Sequence, residues 1–207
     1  MHIESKTTHA LASISASTEP VEDRRSGMRV QTVFKIARVD NGNDQGFARV
    51  QNISDDGVRL RMQLPVCLGD RLVIELAENV TINGRVVWTD GADCGLQLDE
   101  QIDSPALLGQ LALQARAATA RPLRLKVATS ALSRGANGTR VVEVADVSQR
   151  GMKLIHDGSF CEGLQVKITL PSGIERRGVV RWSQDRIAGV MFLEPFTPNE
   201  LGSVRKL

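Results

Sequence analysis

The chain has 207 residues, of which 42% are hydrophobic, and its 26 basic and 24 acidic side chains give a formal net charge of +2. This length suits one large domain or two domains of about 100 residues each. The near-neutral charge argues against binding long nucleic acids, and no stretch approaches the ~18 apolar residues of a membrane helix, so we expect a cytoplasmic protein without membrane insertion.

Residues 1–20 contain many Ser, Thr and Ala residues and few large apolar ones, which predicts a disordered N-terminal tail. The next segment, RRSGMR at 24–29, contains Arg24, Arg25 and Arg29. Taken alone, such a cluster is either solvated surface or a binding site for an anion.

From residue 30 to residue 98, apolar and polar residues alternate with a period of two, as in half-buried antiparallel strands. The alternate positions predicted to face the core are Val58, Leu60 and Met62, then Leu72, Ile74 and Leu76, then Ile82, Val86 and Trp88. We therefore predict Trp88 in the core and Arg59 on the surface, where it could flank a ligand. Short strands with frequent Gly and Asp/Asn turns predict a small barrel.

Helix signals follow the strands. Ser104 is predicted to be the N-cap of a helix and Pro105 its first residue. Leu107, Leu108 and Leu111 follow at helical spacing. Near the end of the chain, Thr197-Pro198 with Glu200 forms a capping-box pattern. We expect a linking helix after the first unit and a short helix after the second.

The chain is an internal duplication. Five landmarks recur at a constant offset of 94 positions: Ser54/Ser148, Gly57/Gly151, Gly69/Gly163, Trp88/Trp182 and Gly95/Gly189. The expected domains are 21–118, including the linking helix, and 119–207. By the same parity argument, Trp182 is predicted to be a core residue.

Enzyme and metal motifs are missing from the sequence. No HExxH, P-loop or nucleophile elbow occurs, and three scattered cysteines and three histidines lack metal-ligand spacing. Asp55 and Asp56 are adjacent and poorly arranged for paired acid/base work, and His156 is expected to pack or to lie at a rim. We predict no catalysis, no metal and no cofactor.

The order and spacing of three motifs resemble the PilZ domain family. Arg25 and Arg29 form R-x-x-x-R, Asn52 to Gly57 form N-x-S-x-x-G, and GRVVW follows at 84–88. The resemblance covers both units and implies two tandem six-stranded antiparallel barrels, each followed by a helix. It also implies that the protein is a bacterial receptor for cyclic di-GMP.

In that family the R-x-x-x-R arginines bind phosphates and guanine edges, and the second motif holds a base. The resemblance therefore implies ligand contacts from Arg24, Arg25, Arg29, Asn52, Ser54 and Gly57. An arginine at the position of Arg24 goes with two mutually intercalated dinucleotides per site, which we expect at the first domain. A guanidinium suits this chemistry because it can fork onto phosphate oxygens or the guanine O6/N7 pair.

The second unit keeps Asp146, Ser148 and Gly151 but has no R-x-x-x-R, since Arg116, Arg121 and Arg124 are spaced differently. It is expected to bind the nucleotide poorly or not at all. Two functions stay open: a cyclic di-GMP receptor that acts on an unidentified protein target through its second domain, and a PilZ-like interaction module that binds no nucleotide. A generic nucleic-acid binder is disfavoured because only 3% of the residues are aromatic.

Overall fold

The computed structural model describes residues 30–117, 121–136 and 138–207. The predicted tail at 1–20 and the arginines Arg24, Arg25 and Arg29 lie outside these ranges. The described chain forms two closed six-stranded antiparallel barrels in tandem, with one α-helix after the first barrel. The predicted fold class is confirmed.

The first barrel contains β1 Val30–Asp40, β2 Gln45–Ile53, β3 Gly57–Met62, β4 Arg71–Ala77, β5 Val80–Asp90 and β6 Asp93–Leu98, followed by α1 Ser104–Arg116. The second contains β7 Leu125–Gly135, β8 Gly138–Ser148, β9 Gly151–Ile155, β10 Gln165–Thr169, β11 Glu175–Gln184 and β12 Ile187–Phe192. The spatial orders are β1-β2-β3-β6-β5-β4 and β7-β8-β9-β12-β11-β10. Each barrel closes where its first strand pairs with its fourth.

Period-two alternation correctly predicted the interior of most strands. Val58, Leu60 and Met62 of β3 are at most 5% exposed, and the alternating residues of β4 and β10 are also buried. Inward side chains fill each barrel from all sides, so each barrel has its own apolar core. Burial of this surface is the main favourable contribution to the stability of each barrel.

Helix α1 packs on the first barrel. Leu111 is buried, and Leu107 and Leu108 pack partly against the same core. The predicted cap was wrong by one residue: Asp103 is the N-cap and accepts the Ala106 N–H at 2.9 Å. Ser104 is instead fully buried, because its N–H and hydroxyl both donate to Asp55 at 3.0 and 2.7 Å.

The helix expected from Thr197 is not an α-helix. The capping-box hydrogen bonds do form between Thr197 and Glu200, but they close a single turn. The helical segment that follows is a 3-10 helix of three residues, Val204–Lys206. Its neighbours Leu201 and Leu207 are buried in the second core, which anchors the end of the chain.

The two barrels are in direct contact. The Phe47 side chain, at the start of β2, belongs to the core cluster of the second barrel, and its N–H donates to the Leu201 carbonyl at 2.8 Å. Ser203 donates to the Asp44 carboxylate at 2.6 Å. Gly46 lies against Gly202 so closely that an added Cβ would be 2.0 Å from the Gly202 oxygen.

Candidate functional site

A tight turn joins β2 to β3 and contains Ser54 and Gly57. The Ser54 N–H and hydroxyl both donate to the Gly57 carbonyl, at 2.8 and 3.2 Å. A Cβ on Gly57 would lie 2.9 Å from the Leu96 carbonyl oxygen, so the position favours glycine. Ser148 and Gly151 repeat this turn in the second barrel. The serine and glycine of the motif therefore have a structural role in both barrels.

Next to this turn, four residues form a row across the outside of the first barrel. In strand register Asn52 lies opposite Arg59, Arg59 opposite Gly95, and Gly95 opposite Trp88. The row crosses β2, β3, β6 and β5, whose spacing is about 4.8 Å per strand. Asn52 and the Ser54 turn are thus close together, and Arg59 and Trp88 lie on the same face.

The prediction that the tryptophans lie in the core was wrong. Trp88 is 39% exposed and Trp182 is 45% exposed. The register shifts between Val86 and Trp88 and, in the second barrel, between Val180 and Trp182. A β-bulge inserts one extra residue, so the side chains beyond it swap faces. Val86 lies before the bulge and faces the core, whereas Trp88 lies after it and faces outward.

Each tryptophan ring lies flat over a glycine of the neighbouring strand. A Cβ on Gly95 would be 2.0 Å from Trp88 Nε1, and one on Gly189 would be 2.1 Å from Trp182 Nε1. Any larger residue would push the ring off the barrel. The equal spacing of tryptophan and glycine in the two units was a signal in the sequence for this pairing, although it does not reveal which way the ring faces.

Arg59 connects the polar and aromatic parts of the row. Its guanidinium carbon lies 5.5 Å from the centre of the Trp88 ring, a cation–π distance. Its Nη2 donates to Asp93 at 2.9 Å, and Asp93 also accepts from Gln51 at 3.0 Å. These contacts hold a planar cation beside an aromatic ring, which suits stacking with a flat heteroaromatic ligand.

The adjacent aspartates do not form an acid/base pair. Hydrogen bonds from the Ser104 side chain and backbone lower the pKa of Asp55, so its carboxylate is ionised and fixed at the start of α1. Among the described residues, no group of His, Cys, Asp and Glu has the arrangement of a metal site. Cys94 is buried, and burial raises its pKa to about 11, which leaves the thiol protonated and unreactive.

The matching row of the second barrel differs in charge. Asp146 replaces Asn52 and pairs with Arg124 at 2.5 Å and with Lys153 at 3.7 Å. Leu123 stands at the position that corresponds to Arg29 in the first unit. The carboxylate thus neutralises nearby cations, and the second arginine of R-x-x-x-R has no counterpart.

Comparison with known families identifies the fold. The family model described as the PilZ domain matches residues 23–114 and again residues 115–207. The chain belongs to the PilZ domain family. The two matches correspond to the two barrels, so this is a tandem PilZ-domain chain.

Several solved structures show distant similarity to the chain. PlzA of Borreliella burgdorferi in complex with c-di-GMP is 12% identical, over 82% of this chain and 88% of that one, with a TM-score of 0.37. MotI/DgrA, the inhibitor of motility of Bacillus subtilis, is 14% identical over 78% and 88%, with a TM-score of 0.32. YcgR of Escherichia coli in complex with c-di-GMP is 11% identical over 78% and 75%, with a TM-score of 0.28.

No curated protein matches the chain. Within the described ranges, no helix is long and apolar enough to cross a membrane.

Proposed function

We propose that this PilZ-domain chain is a cytoplasmic receptor for cyclic di-GMP and that its first barrel binds the ligand. The observation that supports this most is the outward row of Asn52, Arg59 and Trp88 beside the Ser54 turn. Val30, the first residue of β1, lies opposite Ile53, and Arg29 is bonded to Val30. The R-x-x-x-R motif is thus adjacent in sequence to the start of β1, where β1 pairs with β2.

The chemistry of each group fits a cyclic dinucleotide. Arg25 and Arg29 supply guanidinium forks for phosphate oxygens and guanine O6/N7, with Arg24 as a third cation. Asn52 offers both a donor and an acceptor to a guanine edge, and Ser54 offers a hydroxyl. Gly57 contributes through the turn that presents Ser54, because a side chain there would collide with the Leu96 carbonyl.

The second barrel has a different proposed role. Its row contains Asp146 instead of an amide, and its upstream segment has no R-x-x-x-R. We assign it to contact with a downstream protein, and we retain 21–118 and 119–207 as the proposed domain limits. The proposed activity is binding without catalysis.

An interaction module that binds no nucleotide is the second candidate. The observation that favours it is that Ser148 and Gly151 form the same turn in a barrel without R-x-x-x-R. The N-x-S-x-x-G sequence of the first barrel thus has a sufficient structural explanation without a ligand.

Calorimetric titration of the full chain with cyclic di-GMP separates the two candidates, with cyclic di-AMP as a matched control. The control has the same ring of phosphates and sugars but lacks the guanine O6 and N2 groups. We expect saturable binding of cyclic di-GMP and much weaker binding of cyclic di-AMP. If neither binds, the chain is an interaction module.

A further inference from the structure

An apolar patch surrounds the tryptophan of the second barrel. Ile155 and Met191 are 43% and 44% exposed, close to the 45% of Trp182. Ile155 lies opposite Ile187 across β9 and β12, and Trp182 lies opposite Gly189 across β11 and β12. These four side chains, Ile155, Trp182, Ile187 and Met191, form what we call the tryptophan face of the second barrel.

The internal duplication provides a reference for this face. At the positions of Ile155, Ile187 and Met191, the first barrel has Arg61, Asp93 and Gln97. The tryptophan and the glycine beneath it are the same in both barrels. Three hydrogen-bonding side chains on the first barrel are thus replaced by three aliphatic ones around an unchanged aromatic ring.

Cations border the end of the tryptophan face that contains Trp182 and Met191, whereas Glu143 lies opposite Ile155 at the other end. A depression of about 220 Å³ beside Trp182 is lined by residues that include Arg124, Arg150, Lys153 and Arg181, and none of its described lining residues is acidic. Asp146 forms ion pairs with Arg124 and Lys153. One carboxylate against four cations leaves a surplus of positive charge. In the first barrel, Asp56 and Val87 stand at the positions of Arg150 and Arg181. The second barrel has therefore gained two cations here.

We propose that the tryptophan face binds a segment of another protein in which acidic and apolar side chains alternate. Exposed aliphatic side chains around a tryptophan, bordered by arginines, have the composition of a protein-binding hot spot. The positive rim selects acidic side chains by charge complementarity.

The same features disfavour a nucleotide at this face. Ile155 and Ile187 offer no hydrogen bond to a base edge, and the second unit has no R-x-x-x-R to bind phosphates. The inference rests on the proposed role of the second barrel in contact with another protein, and it does not depend on ligand binding by the first barrel.

The test uses fluorescence anisotropy of a labelled twelve-residue peptide of alternating Glu and Leu, titrated with the full chain without nucleotide. Control peptides alternate Gln with Leu and Glu with Ser, and a twelve-nucleotide single-stranded DNA probes the nucleic-acid alternative. We expect the Glu–Leu peptide to bind most tightly. Its affinity should fall about tenfold or more in Trp182→Ala. We expect the same loss in the double variant Ile155→Arg/Ile187→Asp, which introduces the residues found at these positions in the first barrel.

Trp88→Ala is the matched control on the first barrel and should leave peptide binding unchanged. Arg181→Val should weaken binding of the Glu–Leu peptide and leave binding of the Gln–Leu peptide unchanged. The inference is overturned if no peptide binds, if Trp88→Ala has the effect of Trp182→Ala, or if the DNA binds more tightly than the Glu–Leu peptide. It is also overturned if the chain self-associates in sedimentation and Ile155→Arg abolishes this, because the occupant is then a second copy.

Discussion

Arg59 has a different environment from its counterpart Lys153. The Arg59 guanidinium lies over Trp88 and donates to Asp93. These two contacts fix the guanidinium on the outer face of the barrel, where a flat ligand can stack on it. Lys153 has a compact ammonium group and interacts with Asp146 at 3.7 Å. A planar cation beside an aromatic ring is therefore a feature of the first barrel, and it supports assignment of the ligand to that barrel.

Arg24 is the basis for a prediction of how many cyclic di-GMP molecules bind to each chain. Two intercalated dinucleotides present four phosphates and additional guanine faces, so a third guanidinium can neutralise charge and stack on a purine. We expect about two cyclic di-GMP molecules per chain, falling toward one in Arg24→Leu, as measured by titration to saturation with protein of known active fraction. A wild-type value of one would show that Arg24 does not set the stoichiometry; weak ion pairing with Asp23 or Glu22 would then be its simpler role.

His156 makes the stability of the second barrel depend on pH. Its Nδ1 accepts the N–H of Gly158 at 3.0 Å, so Nε2 has the proton and donates to Ser183 at 3.1 Å. The ring is stacked on Phe160, and burial lowers the pKa of His156 below its usual value of 6.5. The unfolded chain then binds the proton more readily, so this contribution to stability is complete above about pH 6.5 and is lost as the pH falls.

Urea unfolding between pH 8 and pH 5 measures this effect. The free energy of unfolding should fall below about pH 6.5 in the wild type and fall less in His156→Met, which introduces the residue found at the equivalent position, Met62. Equal pH slopes for the two proteins would rule out His156 as the group responsible.

At the scale of strands, β-bulges decide which residues of β2 and β5 face outward. Alternation in the sequence correctly identified the interiors of β3, β4 and β10. The β3–β6 and β10–β11 ladders are regular, and the irregularity of β4 lies only at its end, between Glu75 and Ala77. Alternation failed at Trp88 because a bulge in β5 adds one residue to the ladder, and periodicity contains no signal for that insertion. A second bulge between Val50 and Asn52 helps to place Asn52 on the outer face.

Helix ends were also only partly predictable. Asp103 and Ser104 are both good capping residues, and the choice between them depends on Asp55, which is 49 positions away from Ser104 and captures its hydroxyl. At Thr197 the capping box forms, but burial of Leu201 in the second core replaces the helix with a turn. Long-range contacts decide both cases, and local patterns do not contain them.

The glycine beneath each tryptophan gives a matched test of the row that we propose to bind the ligand. In Gly95→Ala the new methyl group overlaps the Trp88 ring, which must swing away from Arg59. We expect a change in tryptophan fluorescence and a loss of about 1–3 kcal/mol in cyclic di-GMP binding, comparable to loss of one base-stacking contact. Gly189→Ala displaces Trp182 in the same way and should leave this affinity unchanged. Equal effects of the two substitutions would mean that Trp88 has no specific part in binding.

At the scale of the whole molecule, the contact between barrels depends on a close backbone approach. Phe47 enters the second core while Gly46 lies against Gly202, with no room for a side chain between them. Arg121 in the linker adds an exposed ion pair with Glu78 at 3.7 Å, which contributes little. The contacts of Phe47 and Gly46 therefore stabilise the tandem unit more than this ion pair does.

Gly46→Ala tests this contact. The added methyl group would overlap the Gly202 carbonyl, and we expect a loss of about 1–3 kcal/mol in the free energy of unfolding. Gly109→Ala in α1 is the control: nothing lies within 4 Å of its added Cβ, and it should be neutral or stabilising. If urea unfolding of Gly46→Ala matches that of the wild type, the backbone approach does not hold the barrels together.

The most direct test of the central claim is calorimetric titration of cyclic di-GMP into the Arg25→Ala, Arg29→Ala and Arg121→Ala variants of the 207-residue chain. Each of the first two substitutions removes charge-assisted hydrogen bonds, and we predict a loss of about 1.5–3 kcal/mol, or roughly ten- to a hundredfold in affinity. Arg121 is an arginine of the corresponding segment before the second barrel, and its variant should bind like the wild type. Unchanged affinity in both Arg25→Ala and Arg29→Ala would contradict the proposed site.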